Sequence, residues 1–266
     1  MNIKSIFKTL ILSSLFFSQL QATEISIDEI IKRANHVSYY NGKDGRAKVS
    51  MIIKDKQGRT RKRSFVILRK DTEANKDGEQ KFFIYFNRPS DLKKMVFLVW
   101  KHNQGDDDRW MYFPSLDLVK RIAGGDKRTS FVGSSFLYED VSGRRLSADN
   151  HVLKETTADA YIIESTPVDK KGINFSKYRS TVHKKTFLPI KIEYFNTKGE
   201  VYRIYETKKW EMVQGHPTAT LSSIKNLDTG VETFNKYSKV EYDLNLDENI
   251  FSERFLRKAP MKLIKY

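Results

Sequence analysis

Residues 86–145 read FNRPSDLKKMVFLVWKHNQGDDDRWMYFPSLDLVKRIAGGDKRTSFVGSSFLYEDVSGRR. Two strongly apolar strand candidates, Met95–Trp100 and Trp110–Phe113, flank a charged turn. Asp117–Ile122 is half apolar and half cationic. Phe131–Val141 is aromatic, acidic towards its end and marked by Gly133 and Gly143. Just upstream, Gln80–Phe86 is another strand candidate, halted by Arg88-Pro89 because proline cannot donate to a ladder. A sheet with one wet face alternates polar and apolar residues. These three segments do not alternate, so both of their faces are dry. Either helices cover one face and a ligand cavity lies on the other, or this is the thickest part of an ordinary core.

The flanking sequence has the rhythm of an antiparallel sheet. Val49, Met51 and Ile53 form one face of a strand, Gln57-Gly58 makes a turn, and Arg59–Leu68 returns as the second arm of a hairpin. Lys54, Lys56, Arg59, Arg61, Lys62 and Arg63 crowd its turn, either as a solvated face or as a dock for anionic head groups. Beyond His151, strands are expected at Val152–Thr156, Tyr161–Thr166, Lys177–His183, Ile190–Phe195, Val201–Glu211, Ala219–Asn226 and Glu232–Tyr242. The count comes to about eleven to thirteen. A sheet that long curls or splits. Before it, Ser26–Val37 is expected to be helical: Ser26 can cap, Glu29 stands three residues later, and Ile27, Ile30, Ile31 and Ala34 share one face. Phe131–Asp140 is expected to form a short helix acting as a lid or hinge, or an ordinary loop pinned by its aromatics.

Residues 1–22 have the pattern of an export signal: Lys4 and Lys8, an apolar run over Thr9–Ser18 too short to span a bilayer, and the small Ala22 at the expected cleavage point. An uncleaved anchor is the other reading. Cleavage leaves residues 23–266, in which no linker or fixed repeat is visible, and a single domain is expected in the periplasm. With no cysteine in the chain, disulfides, thiolate metal sites and a cysteine nucleophile are excluded. The net charge of +15 falls to +13 when Lys4 and Lys8 are subtracted. It favours anionic partners such as lipid head groups, or reflects only a basic proteome. Nucleic acid is not expected outside the cytoplasm.

No enzyme signature emerges. The five histidines, at positions 36, 102, 151, 183 and 216, are isolated, and no pair has metal-ligand spacing. Gly133-Ser134-Ser135 is not a nucleophile elbow. Asp106, Asp107 and Asp108 lack the spacing of a calcium loop and read as a solvated turn. No catalytic residue, metal or cofactor is expected.

Several motifs carry a family resemblance. Pro89-Ser90-Asp91-Leu92-Lys93, Phe97-Leu98-Val99-Trp100, Asp106-Asp107-Asp108-Arg109-Trp110-Met111-Tyr112-Phe113-Pro114, Lys120-Arg121-Ile122 and Gly133-Ser134-Ser135-Phe136-Leu137-Tyr138-Glu139-Asp140 resemble the outer membrane lipoprotein-sorting family, related to the periplasmic carrier LolA. The resemblance spans most of the mature chain. Lys94 departs from it, standing where the family pattern has glycine. The resemblance implies a mainly β fold: a large, strongly curved antiparallel sheet, an incomplete barrel of about eleven strands, with helices over the concave face and a terminal short helix at 250–256. It also implies a carrier or chaperone for acylated cargo, a lipoprotein or lipid, serving outer membrane biogenesis. Because such proteins accompany export pumps, the alternative is an adaptor docked on an inner-membrane pump of the resistance-nodulation-division type. The apolar strands beside basic loops suggest Phe97, Trp100, Trp110, Tyr112, Phe131 and Phe136 around an acyl cavity. Lys120, Arg121, Lys127 and Arg128 are then candidates for head-group, partner or transient membrane contact.

Overall fold

A computed structural model describes residues 25–73 and 77–265; the signal segment lies outside them. The first element is helix α1 (Ile27–Tyr39), capped by the Ser26 hydroxyl, which accepts the Glu29 N–H at 3.2 Å. Thirteen strands follow: β1 (Asp44–Lys54), β2 (Thr60–Asp71), β3 (Gln80–Arg88), β4 (Val96–Lys101), β5 (Asp108–Phe113), β6 (Leu118–Arg121), β7 (Asp149–Thr156), β8 (Ala160–Pro167), β9 (Lys177–His183), β10 (Pro189–Phe195), β11 (Val201–Val213), β12 (His216–Asn226) and β13 (Glu232–Tyr242). All belong to one antiparallel sheet in the order β6-β5-β4-β3-β2-β1-β13-β12-β11-β10-β9-β8-β7. Two meanders thus meet where β1 pairs with β13. The sheet is curved and unclosed, with β6 and β7 as its free edges. Thirteen exceeds the eleven expected for the barrel. The short β6 accounts for part of the difference: three of its four residues are exposed, so it lacks the apolar alternation by which a strand is recognised.

The double-faced strands are explained by two separate covers. On the inner face, Phe82, Ile84, Phe86, Phe97, Val99 and Met111 pack with Phe131 and Phe136. On the outer face, Phe83, Tyr85, Val96, Leu98 and Trp110 pack with Leu246, Ile250, Phe251, Leu256 and Ile264. Strand alternation divides the two sets. The C-terminal segment, with a 3-10 turn at Glu248–Phe251 and short helices α3 (Arg254–Arg257) and α4 (Met261–Ile264), therefore shields the outer surface. The basic tail from Lys258 is part of this cover, since Ile264 is buried in it. Asp44 fixes its entry: the buried carboxylate accepts the N–H groups of Leu244 and Leu246, each at 2.7 Å.

Residues 122–148 connect the two free edges by running through the inside of the curl. The short helix expected at Phe131–Asp140 is not formed as such. Phe131–Gly133 makes a 3-10 turn, Ser130 bridges Leu137, and helix only starts at α2 (Tyr138–Ser142). Val132 and Gly133 both take positive φ, at 47° and 72°, which breaks any continuous helix there.

The β3–β4 hairpin closes through Lys94, whose N–H donates to Phe86 O at 2.9 Å. Its φ is 70°, the left-handed region that glycine enters freely and a Cβ-bearing residue does not. This is the position where the family pattern has glycine. Replacing Lys94 by glycine should stabilise the fold by about 1 kcal/mol. Denaturant midpoints of the two proteins check this; an unchanged or lower midpoint for Lys94→Gly would contradict it.

Candidate functional site

Inside the curl lies a cavity of about 420 Å³. That is within the range of small-molecule sites, which run to several hundred Å³. Its lining comes from β1–β3 and from β7–β13 alike, as only a curled sheet allows. Helix α1 roofs it. Ile30 anchors the helix among Ile163 and Val182, while Ile31, Ala34 and Tyr39 border the hollow. The helix C-terminus is tied down by Arg69, which donates to the carbonyls of Tyr39, Asn41 and Gly42 at 2.9, 2.6 and 2.7 Å.

The cavity has two unlike walls. One is apolar: Met51, Phe65, Ile67, Phe82 and Ile84 from β1–β3, with Phe131 and Phe136 from the inner segment. The other is rich in hydroxyls and amides: Tyr178, Tyr194, Tyr205, Tyr237, Ser180, Thr207 and Asn235. Burial raises the tyrosine hydroxyls, that of Tyr237 to about 12, against hydrogen bonds from Asn235 and Ser222 that favour its ionised form. Burial likewise raises Tyr205. These phenols are neutral at any physiological pH.

The inner segment is clamped by polar contacts. Arg203 of β11 is buried, pairs with Asp140 and donates to Ser135 O at 3.3 Å. Burial works against its charge, but Asp140 together with Tyr194 and Tyr202 outweighs burial and raises the guanidinium. Ser135 N–H donates to Thr233 Oγ1 at 2.9 Å. Arg128 grips Glu139 through two hydrogen bonds of 3.1 and 3.2 Å. Arg144 donates to Asp149 at 2.7 Å, and Asp149 also accepts the Tyr178 hydroxyl at 3.0 Å. At the end of α2, Lys101 Nζ donates to Ser142 O at 2.8 Å and lies 5.4 and 5.2 Å from the ring centres of Tyr39 and Tyr40. Gly143 follows with φ +74°, and a Cβ there would stand 2.6 Å from the Tyr39 ring. Helix and inner segment therefore meet at a contact too close for any other residue.

The residues singled out from sequence are distributed unevenly. Phe131 and Phe136 line the hollow. Phe97 is on the inner face but packed solid behind Phe131, with ring centroids 5.4 Å apart. Trp100, Trp110 and Tyr112 do not border the hollow. They sit on the outer face under the C-terminal cover, with Trp100 Nε1 donating to Phe251 O at 2.7 Å. The reason is the one-residue alternation of β4 and β5, which sends them opposite to Phe97 and Met111. Among the four cations, Arg128 borders the hollow but is held by Glu139. Lys127 pairs with Asp106 at 2.8 Å, Arg121 pairs with Asp108, and Lys120 is exposed on β6. The aspartate turn is thus internally neutralised, since Asp107 binds Arg109 at 2.5 Å in the interior. Among the described residues, no cluster of His, Asp and Glu is arranged to hold a metal.

The polar wall was not foreseen. Its signal was present in the placement of Tyr178, Tyr194, Tyr205 and Tyr237 on β9, β10, β11 and β13, with Ser180, Thr207 and Asn235 two positions from Tyr178, Tyr205 and Tyr237. Tyrosine, serine and threonine at alternate positions also describe an ordinary solvent face, and only the curl makes that face an interior.

An open curled sheet around a roofed hollow is a LolA-like fold. A domain of an outer membrane lipoprotein-sorting protein from Vibrio parahaemolyticus superposes with a TM-score of 0.77 at 27% identity, covering 86% of this chain and 97% of that one. A DUF1329 family protein from Desulfovibrio piger gives 0.77 at 27%, covering 85% and 96%. A LolA superfamily protein from Nitrosomonas europaea gives 0.67 at 16%, covering 87% and 99%, a likeness of fold. A family model described as "Uncharacterized protein" matches residues 78–258. That is more than half of the chain, and the chain belongs to this family. No curated protein matches the sequence.

Lys101 offers a pH test of the clamp. Burial pulls its ammonium from 10.5 down to about 8, against Asp107 and Asp77, which push it up, while Arg145 adds to the lowering. Between these two values the unfolded chain holds a proton that the folded chain has released. Stability should therefore rise with pH across that window. Measured by denaturation at stepped pH, the difference in unfolding free energy between the unaltered protein and Lys101→Met should grow in favour of the former from pH 8 to 10. Parallel profiles would show that Lys101 keeps its proton in the fold.

Proposed function

We propose that the chain is a non-enzymatic periplasmic carrier that shelters the acyl chains of a lipid or lipoprotein in this hollow. The observation that carries the reading is the cavity itself. Some 420 Å³ stays open inside the sheet although the same face is packed solid a few residues away by Phe131. A protein interior fills such space unless a guest does so. The family membership and the lipoprotein-sorting relative support the same reading. Among the described residues no helix is long and apolar enough to cross a membrane, in keeping with a chain that travels between membranes. The exposed Lys54, Lys56, Arg59, Arg61 and Lys62 at the β1–β2 turn offer a surface for transient contact with anionic lipid, or with an export pump that hands over the cargo.

Binding of fluorescent acyl probes to delipidated protein tests this. Affinity should rise roughly fourfold per added methylene until the hollow is full, as expected for about 0.8 kcal/mol each. Ile67 is partly exposed and borders the cavity. Ile67→Trp should fill the space and weaken binding at least tenfold while leaving the fold intact by circular dichroism. Absence of saturable binding, or affinity indifferent to both chain length and Ile67→Trp, would remove the carrier reading.

A further inference from the structure

The geometry points to a cargo head group that is uncharged, donates a hydrogen bond and is held within the hollow. This inference rests on the carrier reading and adds the chemical class of the ligand. Its first support is an orphan. Asn235 on β13 is 4% exposed and borders the cavity, and its Oδ1 has no hydrogen-bond partner. A buried acceptor without a partner costs free energy, and native interiors seldom leave one so. Tyr205, with its hydroxyl 3.1 Å from Thr207 Oγ1, lines the same hydroxyl-rich wall.

The second support is charge balance. Five arginines border the hollow, and each already has a carboxylate: Arg46 with Glu241, Arg69 with Asp71, Arg128 with Glu139, Arg144 with Asp149 and Arg203 with Asp140. For four of them, Arg69, Arg128, Arg144 and Arg203, a fatty acid carboxylate or a phosphate entering here would have to take the arginine from a largely buried carboxylate and leave it unpaired, while the partner of Arg46, Glu241, is exposed at the rim. A neutral head breaks none of these pairs. The third support is the placement of the two walls. The apolar surface of β1–β3 accepts chains and the tyrosine and asparagine surface of β9–β13 adjoins it, Asn235 lying beside Met51 across the β1–β13 ladder, so one amphiphile can satisfy both. The matching class is an acylated alcohol or amide, such as a monoacylglycerol or an N-acyl amide, with a hydroxyl or N–H directed at Asn235 Oδ1.

The test compares four ligands of one chain length on the delipidated full mature chain, by displacement of a bound fluorescent acyl probe: a 1-monoacylglycerol, the corresponding fatty acid methyl ester, the free fatty acid at neutral pH and a lysophosphatidylglycerol. The monoacylglycerol should bind roughly tenfold more tightly than the methyl ester, the worth of one buried hydrogen bond. The two anionic ligands should bind no better than the ester. Asn235→Leu should abolish the gap between monoacylglycerol and ester without weakening the ester. Equal binding of monoacylglycerol and ester, tighter binding of either anion, or a gap that survives Asn235→Leu overturns the head-group inference and leaves the carrier reading standing. If that variant does not fold, the ligand series on the unaltered protein decides. Failure of all four ligands removes the carrier reading itself, and this inference with it.

Discussion

The Phe131 ring sits between Phe65, Phe86 and Phe97, at centroid distances of 6.4, 5.9 and 5.4 Å, and Tyr138 closes the group at 5.6 Å. Everything inside the sheet depends on this cluster. A thirteen-stranded surface that curls encloses more volume than side chains projecting from its own strands can fill. The chain meets the problem by sending residues 122–148 through the interior, and Phe131 is where that segment is seated. Burying one such ring contributes about 2–3 kcal/mol, and the edge-to-face contacts add to it. Where the cluster ends, the solid core ends, and the hollow begins.

The boundary between filled and open interior is drawn by chemistry as well as by volume. Phenylalanine and aliphatic residues dominate β1–β5, whereas β9–β13 present tyrosine, serine, threonine and asparagine to the same interior. Polar groups taken out of water need partners. Most here have them in one another or in the inner segment. Arg203 and Asp140 are the clearest case, a buried charge pair whose loss on one side would strand the other. The interior is therefore amphiphilic, apolar on one flank and polar on the other.

Much of this could be read before the structure. The helix cap at Ser26, the strand periods beyond His151 and the dryness of Met95–Trp100 on both sides follow from local spacing, and each is seen. What could not be read is which side of a doubly apolar strand meets the cavity. Trp100 and Phe97 are three residues apart, equally apolar and equally conspicuous, yet one faces the C-terminal cover and the other the inner segment. Nothing in the spacing of β4 alone distinguishes them, because the distinction is made by two distant segments, 122–148 and 244–264, arriving on opposite faces. Beyond the expected short helix, the run from Lys258 shows little apolar pattern, because its buried Ile264 is diluted by lysine. Asparagine and tyrosine on the far wall were likewise indistinguishable from solvent-facing residues, since local pattern does not record curvature.

One consequence follows from the two free edges. A closed barrel has its girth locked by an unbroken ring of backbone hydrogen bonds. Here the ring is cut between β6 and β7; only the inner segment crosses the gap, held by Arg128 to Glu139 and to the Gly172 carbonyl at 2.6 Å, by Arg144 to Asp149 and by Arg203 to Asp140. No backbone ladder bond therefore fixes the spacing of the two rims, β6 and β7.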